Sequence, residues 1–188
     1  GGKAALLAAE ATLGGARLVA NELVPARAGL VRSALQAVDP TVEIRTGDGR
    51  DIGAAEPGVY DRILLDAPCT GLGALRRRPE ARWRKTADDI GPLAVLQAEL
   101  LRSAVAALKP GGVLAYVTCS PHVAETTAIV DALLVEHSGD VAPLDARAVL
   151  AGISSTPLEL GELAHGAAQL WPHRHGTDAM FIQLLTRR

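Results

Sequence analysis

The sequence is short of aromatic residues. Only 3% of its 188 residues are Phe, Trp or Tyr, so the core must be built from Ala, Leu and Val, and each Trp or Tyr stands out as a candidate contact residue. It has two cysteines, too few for a disulfide framework. Neither sign of charge is in excess: 19 Lys and Arg stand against 21 Asp and Glu, which excludes a globally polycationic nucleic-acid binder and makes any such contact local. No run approaches the roughly 18 apolar residues of a membrane span, and the first residues lack the charged and apolar regions of a signal peptide. A soluble cytoplasmic protein with no membrane partner is expected. With 48% hydrophobic and 21% charged residues, the chain has the composition and length of one globular domain over residues 1–188.

Periodicity gives the order of elements. A helical pattern opens at Lys3 (KAALLAAEATL), the run ARLVAN reads as a strand, and 25–38 as a second helix. Strands follow at 42–48 and 60–68, the latter read as buried, then a helix at 93–108. Gly111 and Gly112 turn the chain into VLAYVTCS, a near-continuous apolar run typical of a strand covered on both faces. A helix at 123–137 and two strands at 168–171 and 179–186 complete the chain. Such alternation predicts an α/β fold with a mostly parallel sheet and helices on both faces. The chain opens on Gly-Gly-Lys running straight into a helix, so a first strand is expected to be missing.

In such folds ligands bind beyond the carboxyl ends of the strands. There lie Asn21 and Glu22, Asp48, Asp66 to Thr70, and Thr118 to Pro121. Three carboxylates at successive strand ends suit a nucleoside, whose ribose diol and adenine amino group each want an acceptor; the alternative is that each acid caps the following turn. Gly1, Gly2 and Lys3 suit close approach of backbone to a ligand at a helix N-terminus, or are a cloning remnant. Both cysteines fall at strand ends, Cys69 in Asp-Ala-Pro-Cys-Thr-Gly and Cys119 in Tyr-Val-Thr-Cys-Ser-Pro. A buried cysteine ordinarily acts as a small hydrophobe. A thiolate, however, adds to electron-poor ring carbons, and Cys119 is predicted just before a helix N-terminus that would favour its charge. A metal site would need two further ligands. The segment 76–85 carries six basic residues, Arg76, Arg77, Arg78, Arg82, Arg84 and Lys85, around Trp83. It can track a phosphate backbone and offer a stacking surface, or be a solvated loop with its Trp anchored in the core. His173 to Asp178 reads as a further active-site loop or as a hairpin turn.

Asp66-Ala-Pro-Cys69-Thr-Gly, then Arg78-Pro79 and Trp83, then Thr118-Cys119-Ser120, then His175-Gly-Thr-Asp178-Ala-Met-Phe181 together resemble the Sun/Fmu (RsmB-type) family of RNA cytosine-5 methyltransferases, in order and spacing over essentially the whole chain. The resemblance implies a Rossmann-like class I methyltransferase sheet with a C-terminal antiparallel strand, S-adenosylmethionine as cofactor and RNA as partner, ribosomal rather than transfer RNA. It implies that Cys119 adds to C6 of cytosine and that Cys69 assists elimination. Glu22 aligns with the acid that holds the cofactor ribose, Asp48 with the one near adenine, and Asp66 with the motif acid beside cofactor and base. Gly1, Gly2 and Lys3 look like the end of the cofactor loop. The family carries a first strand and RNA-binding elements ahead of the point where this sequence starts, so the chain is expected to be a catalytic-domain fragment, impaired on its own. Glu22 stands where the family has Asp.

Other readings remain at this point. A methyltransferase for another base position or a small molecule would leave both cysteines dispensable, and a non-catalytic RNA-binding fragment would bind RNA without cofactor. A nicotinamide dehydrogenase is weakest, because no Gly-x-Gly-x-x-Gly follows a strand.

Overall fold

The computed structural model describes residues 1–188. Their contacts divide them into two compact units, Gly1–Ile52 and Gly53–Arg188. In the first, helix α1 (Gly2–Gly14) is followed by strand β1 (Val19–Glu22), helix α2 (Pro25–Leu35) and strand β2 (Glu43–Thr46). Gly15, at φ 66°, ends α1 in the left-handed conformation that glycine adopts without steric cost. Pro25 opens α2, where its missing N–H is not needed. The two strands pair in parallel from Val19 opposite Glu43 to Glu22 opposite Thr46. Ala8, Ala28 and Leu35 are buried between these elements.

The second unit holds the larger sheet. After the single turn α3 (Ile52–Ala55) come β3 (Tyr60–Asp66), the turn α4 (Ala81–Arg84), α5 (Ile90–Ala107), β4 (Leu108–Thr118) and α6 (Thr127–Glu136). The chain ends with β5 (Val141–Leu144), α7 (Ala146–Ile153), β6 (Ala168–Gln169), the turn α8 (Pro172–His175) and β7 (Phe181–Arg187). The strand order is β3-β4-β7-β5, with β6 also pairing β7. β3 and β4 are parallel, while β7 runs antiparallel to β4, β5 and β6, so the expected C-terminal antiparallel strand is present and the sheet is mixed.

The core of this unit follows the helical period of α5. Gln97, Leu101, Ala104, Val105 and Leu108 fall at spacings of three and four and are buried. They pack with Leu114 and Tyr116 of β4, Ile129, Val130 and Leu133 of α6, and Phe181 and Leu185 of β7. Tyr116 and Phe181 meet edge to face, with ring centroids 6.2 Å apart. The segment Ala87–Ala107, which did not stand out in the sequence, is long and apolar enough by composition to cross a membrane, yet it contains this core helix.

Several expectations change. β3 was read as buried, but Asp61, Arg62, Leu64 and Asp66 are exposed, as suits the edge strand it is. The helix expected at 123–137 is a 3₁₀ turn (Val123–Glu125) followed by α6, with Thr126 between them at φ −130° and ψ −102°. β5 and α7 had no counterpart in the sequence reading. Pro143 cannot donate to a ladder and disguises β5, which is tolerated because it lies at the sheet edge.

Replacing Phe181, 1% exposed, by Ala removes the largest apolar contact of Tyr116. Urea denaturation should show a loss of about 3–5 kcal/mol. A loss below about 1 kcal/mol would mean that this core is not the one that holds the sheet.

Candidate active site

The parallel ladder places both thiols at one end of the sheet. Asp66 lies opposite Val117, and Ala67 N–H extends the pairing to the Val117 carbonyl at 2.9 Å. Cys69 follows Asp66 by three residues and Cys119 follows Val117 by two, and their sulfurs lie 3.4 Å apart. Both are unoxidised and half-buried. The hydrogen bond to Cys119, with burial added, pushes the Cys69 thiol far above the ordinary cysteine range.

One buried carboxyl group lies behind both thiols. Glu125, at 0% exposure, accepts from Thr70 N–H (2.7 Å) and Gln97 Nε2 (3.3 Å) on Oε1, and from the Thr70 and Ser120 hydroxyls (2.6 Å each) on Oε2. Gln97 also donates to the Pro68 carbonyl at 2.8 Å, and the Tyr116 hydroxyl donates to the Glu125 carbonyl at 2.9 Å. The sequence reading missed Glu125 and Gln97. For Gln97 a signal was there, a polar residue following the apolar run Leu93 to Leu96; Glu125, followed by Thr126 and Thr127, gave none.

The C-terminal loop joins the same site. Gly73 N–H donates to the Cys119 carbonyl, and Ala179 N–H to the Gly73 carbonyl, each at 2.9 Å. Gly73 permits this approach, because a Cβ there would lie 2.1 Å from the Ala179 oxygen. Arg77 donates through Nε (2.8 Å) and Nη2 to Oδ2 of Asp178, and Arg76 donates to the Gly176 carbonyl at 2.8 Å. Asp178 is 7% exposed and its Oδ1 has no partner. The Arg77 hydrogen bond holds the Asp178 carboxyl below the usual carboxylate range. Arg77 is raised chiefly by Asp178 and in smaller part by the charge of Cys119. The helix expected directly after Cys119 starts later: a 3₁₀ turn at Val123–Glu125 comes first and α6 begins at Thr127.

The other acids sit where the strand ends predict, and two of them also cap turns. At the end of β1, Glu22 accepts from Val24 N–H through Oε1 at 3.0 Å, leaving Oε2 open to a hydroxyl. Beyond β2, Asp48 accepts from Arg50 N–H at 2.9 Å and takes the Arg50 guanidinium on both oxygens, which holds it below the usual carboxylate range. An adenine amino group would have to share that carboxylate with Arg50. Asp66 is exposed at the end of β3. A Cβ on Gly1 would lie 2.4 Å from Ala34 Cβ, so packing against α2 explains this glycine, whereas a Cβ on Gly2 would meet nothing; Lys3 is exposed in the first turn of α1. In the first unit, Glu22 keeps one carboxylate oxygen beyond its bond to Val24 N–H, which suits a ribose hydroxyl.

In the basic segment Trp83 is 83% exposed, so it is not anchored in the core, and the Arg82 guanidinium lies 5.6 Å from its ring centroid. Arg78 and Arg84 are exposed and Lys85 is half-exposed. Arg76 and Arg77, read with them as nucleic-acid contacts, are also exposed, and each in addition hydrogen-bonds the 176–178 loop.

Fold and site together define a Rossmann-like α/β chain of the methyltransferase kind with a paired-thiol centre. Residues 1–186 match the model of the family described as 16S rRNA methyltransferase RsmB/F, and the chain belongs to that family, which is of the S-adenosylmethionine-dependent class. It is 52% identical over its whole length to Rv1407 of Mycobacterium tuberculosis, a protein named for a methyltransferase, of which it covers 38%. It is 32% identical, over 92% of its length, to ribosomal RNA small subunit methyltransferase B of Erwinia tasmaniensis, of which it covers 37%. Among solved structures, NSun6 from Pyrococcus horikoshii with SFG, the S-adenosylmethionine analogue sinefungin, is similar at a TM-score of 0.71 and 26% identity, over 92% of this chain and 41% of that one. The chain spans under two fifths of the length of these curated relatives.

Gly73→Ala should lower the melting temperature and slow the reaction of Cys119 with iodoacetamide, because the added methyl separates the Cys119 and Ala179 segments. Asp178→Asn should cost stability at neutral pH. The folded value of Asp178 lies below its unfolded one, so the wild-type advantage is full above about pH 4 and is lost as pH falls through the folded value. Urea midpoints of the two proteins that stay parallel between pH 7 and pH 3 would remove the ion pair from this account.

Proposed function

We propose that the chain is the catalytic part of an enzyme that transfers a methyl group from S-adenosylmethionine to C5 of a cytosine in RNA, ribosomal RNA being favoured, through a covalent adduct on Cys119. The observation that carries this reading is the pair of sulfurs 3.4 Å apart, in which the hydrogen bond to Cys119 and burial raise the Cys69 thiol. C5 of cytosine is not nucleophilic by itself. Addition of the Cys119 thiolate to C6 forms a carbon–sulfur bond and places the displaced electron pair on C5, which splits a hard substitution into easier steps. S-adenosylmethionine, when bound, supplies a methyl carbon that can accept that pair, its sulfonium leaving as a neutral thioether. Loss of the C5 proton then returns an electron pair to the C5–C6 bond and expels the Cys119 thiolate, a step that Cys69 assists from beside the leaving sulfur.

The remaining chemistry is binding. By the family resemblance, Glu22 would offer its open oxygen to the ribose diol and Asp48 would serve the adenine, while Asp66 would serve cofactor and base and Gly1, Gly2 and Lys3 the cofactor loop. A cytosine must leave any helix to reach a thiol at a strand end, so unpaired or flipped cytosines are the targets. Arg78, Arg82, Arg84 and Lys85 face outward to meet the RNA backbone, and Trp83 offers a face for stacking. Arg76 and Arg77 support the loop that carries this surface.

The deciding experiment takes the full-length protein with Cys69→Ala, incubates it with cellular RNA and S-adenosylmethionine, and runs a denaturing gel. A protein–RNA adduct should accumulate and should vanish when Cys119 is also replaced by Ala. Intact cofactor binding with no adduct would leave the thiols structural and the reading overturned. RNA binding is tested separately. Arg82→Ala or Arg84→Ala should each lower the slope of log K against log salt by about 0.7. Trp83→Ala should weaken binding by roughly 1–3 kcal/mol and leave that slope unchanged.

A further inference from the structure

Glu125 bonds to the residue that immediately follows each cysteine. Thr70, next to Cys69, gives it both its backbone N–H (2.7 Å) and its hydroxyl (2.6 Å); Ser120, next to Cys119, gives its hydroxyl (2.6 Å). The fourth donor, Gln97, also grips the Pro68 carbonyl on the other side of Cys69. Four donors match the acceptor capacity of one carboxylate, and none is water, since Glu125, Ser120 and Gln97 have no exposure and Thr70 has 3%. The carboxyl group's four bonds go to the residues around the thiols, Thr70, Ser120 and Gln97. We propose that Glu125 is a positioning residue: it holds the Cys69 and Cys119 loops at one fixed separation, so that the two thiols act as a pair.

The geometry explains why a carboxyl group occupies this place. Beyond Asp66 and Val117 the β3–β4 ladder no longer aligns the two segments, which must nevertheless keep two sulfurs in contact. A planar group with two oxygens can bridge two loops at once, Oε1 serving the Cys69 side and Oε2 serving both. Its own position is fixed, because Glu125 lies in the 3₁₀ turn ahead of α6 with its carbonyl held by Tyr116. Ser120 Oγ further accepts from His122 N–H at 3.1 Å, which carries the constraint along the Cys119 loop.

The inference rests on the proposed reaction for its kinetic consequences but can be tested without it. In the full-length protein, mass spectrometry after brief iodoacetamide treatment at neutral pH gives the alkylation rates of Cys119 and Cys69. The wild type should favour Cys119 at least about tenfold, because Cys69 holds its proton. Glu125→Gln keeps the size of the side chain but replaces one acceptor by a donor facing other donors, and the ratio should fall at least about threefold. Glu125→Asp, which retains a carboxylate on a shorter arm, should restore part of it. Alkylation needs neither RNA nor cofactor, so it judges Glu125 even where no adduct forms and the proposed reaction fails.

Single-turnover kinetics add a readout that general loosening of the fold would not give. Ser120→Ala should slow adduct formation about tenfold, and Thr70→Val should slow release of the adduct about tenfold, each at unchanged cofactor affinity. These milder variants also decide the matter should Glu125→Gln fail to fold. An unchanged alkylation ratio in a folded Glu125→Gln protein overturns the proposal, as does equal slowing of both steps, or of neither, in the Thr70 and Ser120 variants.

Discussion

The parallel pairing of β3 with β4 is the constraint on which the site depends. In a parallel pair both strands finish at the same edge, so whatever follows each of them is brought together there, although α5 and its approach intervene in sequence. An antiparallel pair would have put the Cys69 and Cys119 loops at opposite ends of the sheet. The pairing acts only up to Asp66 and Val117, with Ala67 N–H as its last bond. Past that point short backbone links take over: Gly73 to Cys119 on one side, Ala179 to Gly73 on the other. They tie the end of β3, the end of β4 and the approach to β7 into one layer without a further strand, and Gly73 is the residue whose missing side chain allows it.

Behind that layer the protein accepts polar groups in a core otherwise made of Ala, Leu, Val and one ring pair. An orphaned buried polar group costs roughly 1–3 kcal/mol, so a network like that of Glu125, Gln97, Thr70, Ser120 and Tyr116 is tolerable only when its members are satisfied together. Each main link of the network has a partner within 3.3 Å. Satisfaction of this kind is directional where apolar packing is not. A Leu at position 97 would fill the space facing Leu101 and Val105, but it would let the Pro68 and Thr70 backbone drift. Specificity of the loop conformation is what the polar core supplies.

What was legible in the sequence follows the same division. Apolar periodicity located α1, α2, α5 and the paired strands other than β5, because periods of 3.6 and 2 are properties of single segments. The two thiols and the strand-end acids were legible because parallel strands of one sheet end at the same edge, β1 and β2 in the first unit and β3 and β4 in the second. Less accessible were facts that depend on partners distant in sequence. Arg76 and Arg77 look identical to Arg78 and Arg84 in the run 76–85, and only the position of Asp178 and Gly176, about a hundred residues on, gives the first two their bonds to that loop. The break at Thr126 was hidden because Thr and Ala on either side are compatible with a helix; the turn forms because Glu125 is drawn to the cysteine loops. Glu22 and Asp48 were read as ligand acids or turn caps, and the structure shows both caps while leaving Glu22 an open oxygen.

Two chemically identical side chains must take different roles in the proposed reaction, and the environment that separates them also orders those roles in time. Before reaction the Cys69 thiol is raised first by its hydrogen bond to Cys119 and then by burial. Arg77, itself anchored by the buried Asp178, contributes positive charge on the Cys119 side. In the proposed reaction this leaves Cys119 as the thiol that adds while the pair is intact. Once Cys119 sulfur is bound to carbon it becomes a neutral thioether, a much weaker acceptor, and the largest cause holding the proton on Cys69 disappears. Burial still raises Cys69, but its thiol is released to take part only after the adduct exists. A single 3.4 Å contact thus both silences the second thiol during addition and frees it for elimination. That dual use requires the separation of the two loops to be fixed rather than merely small.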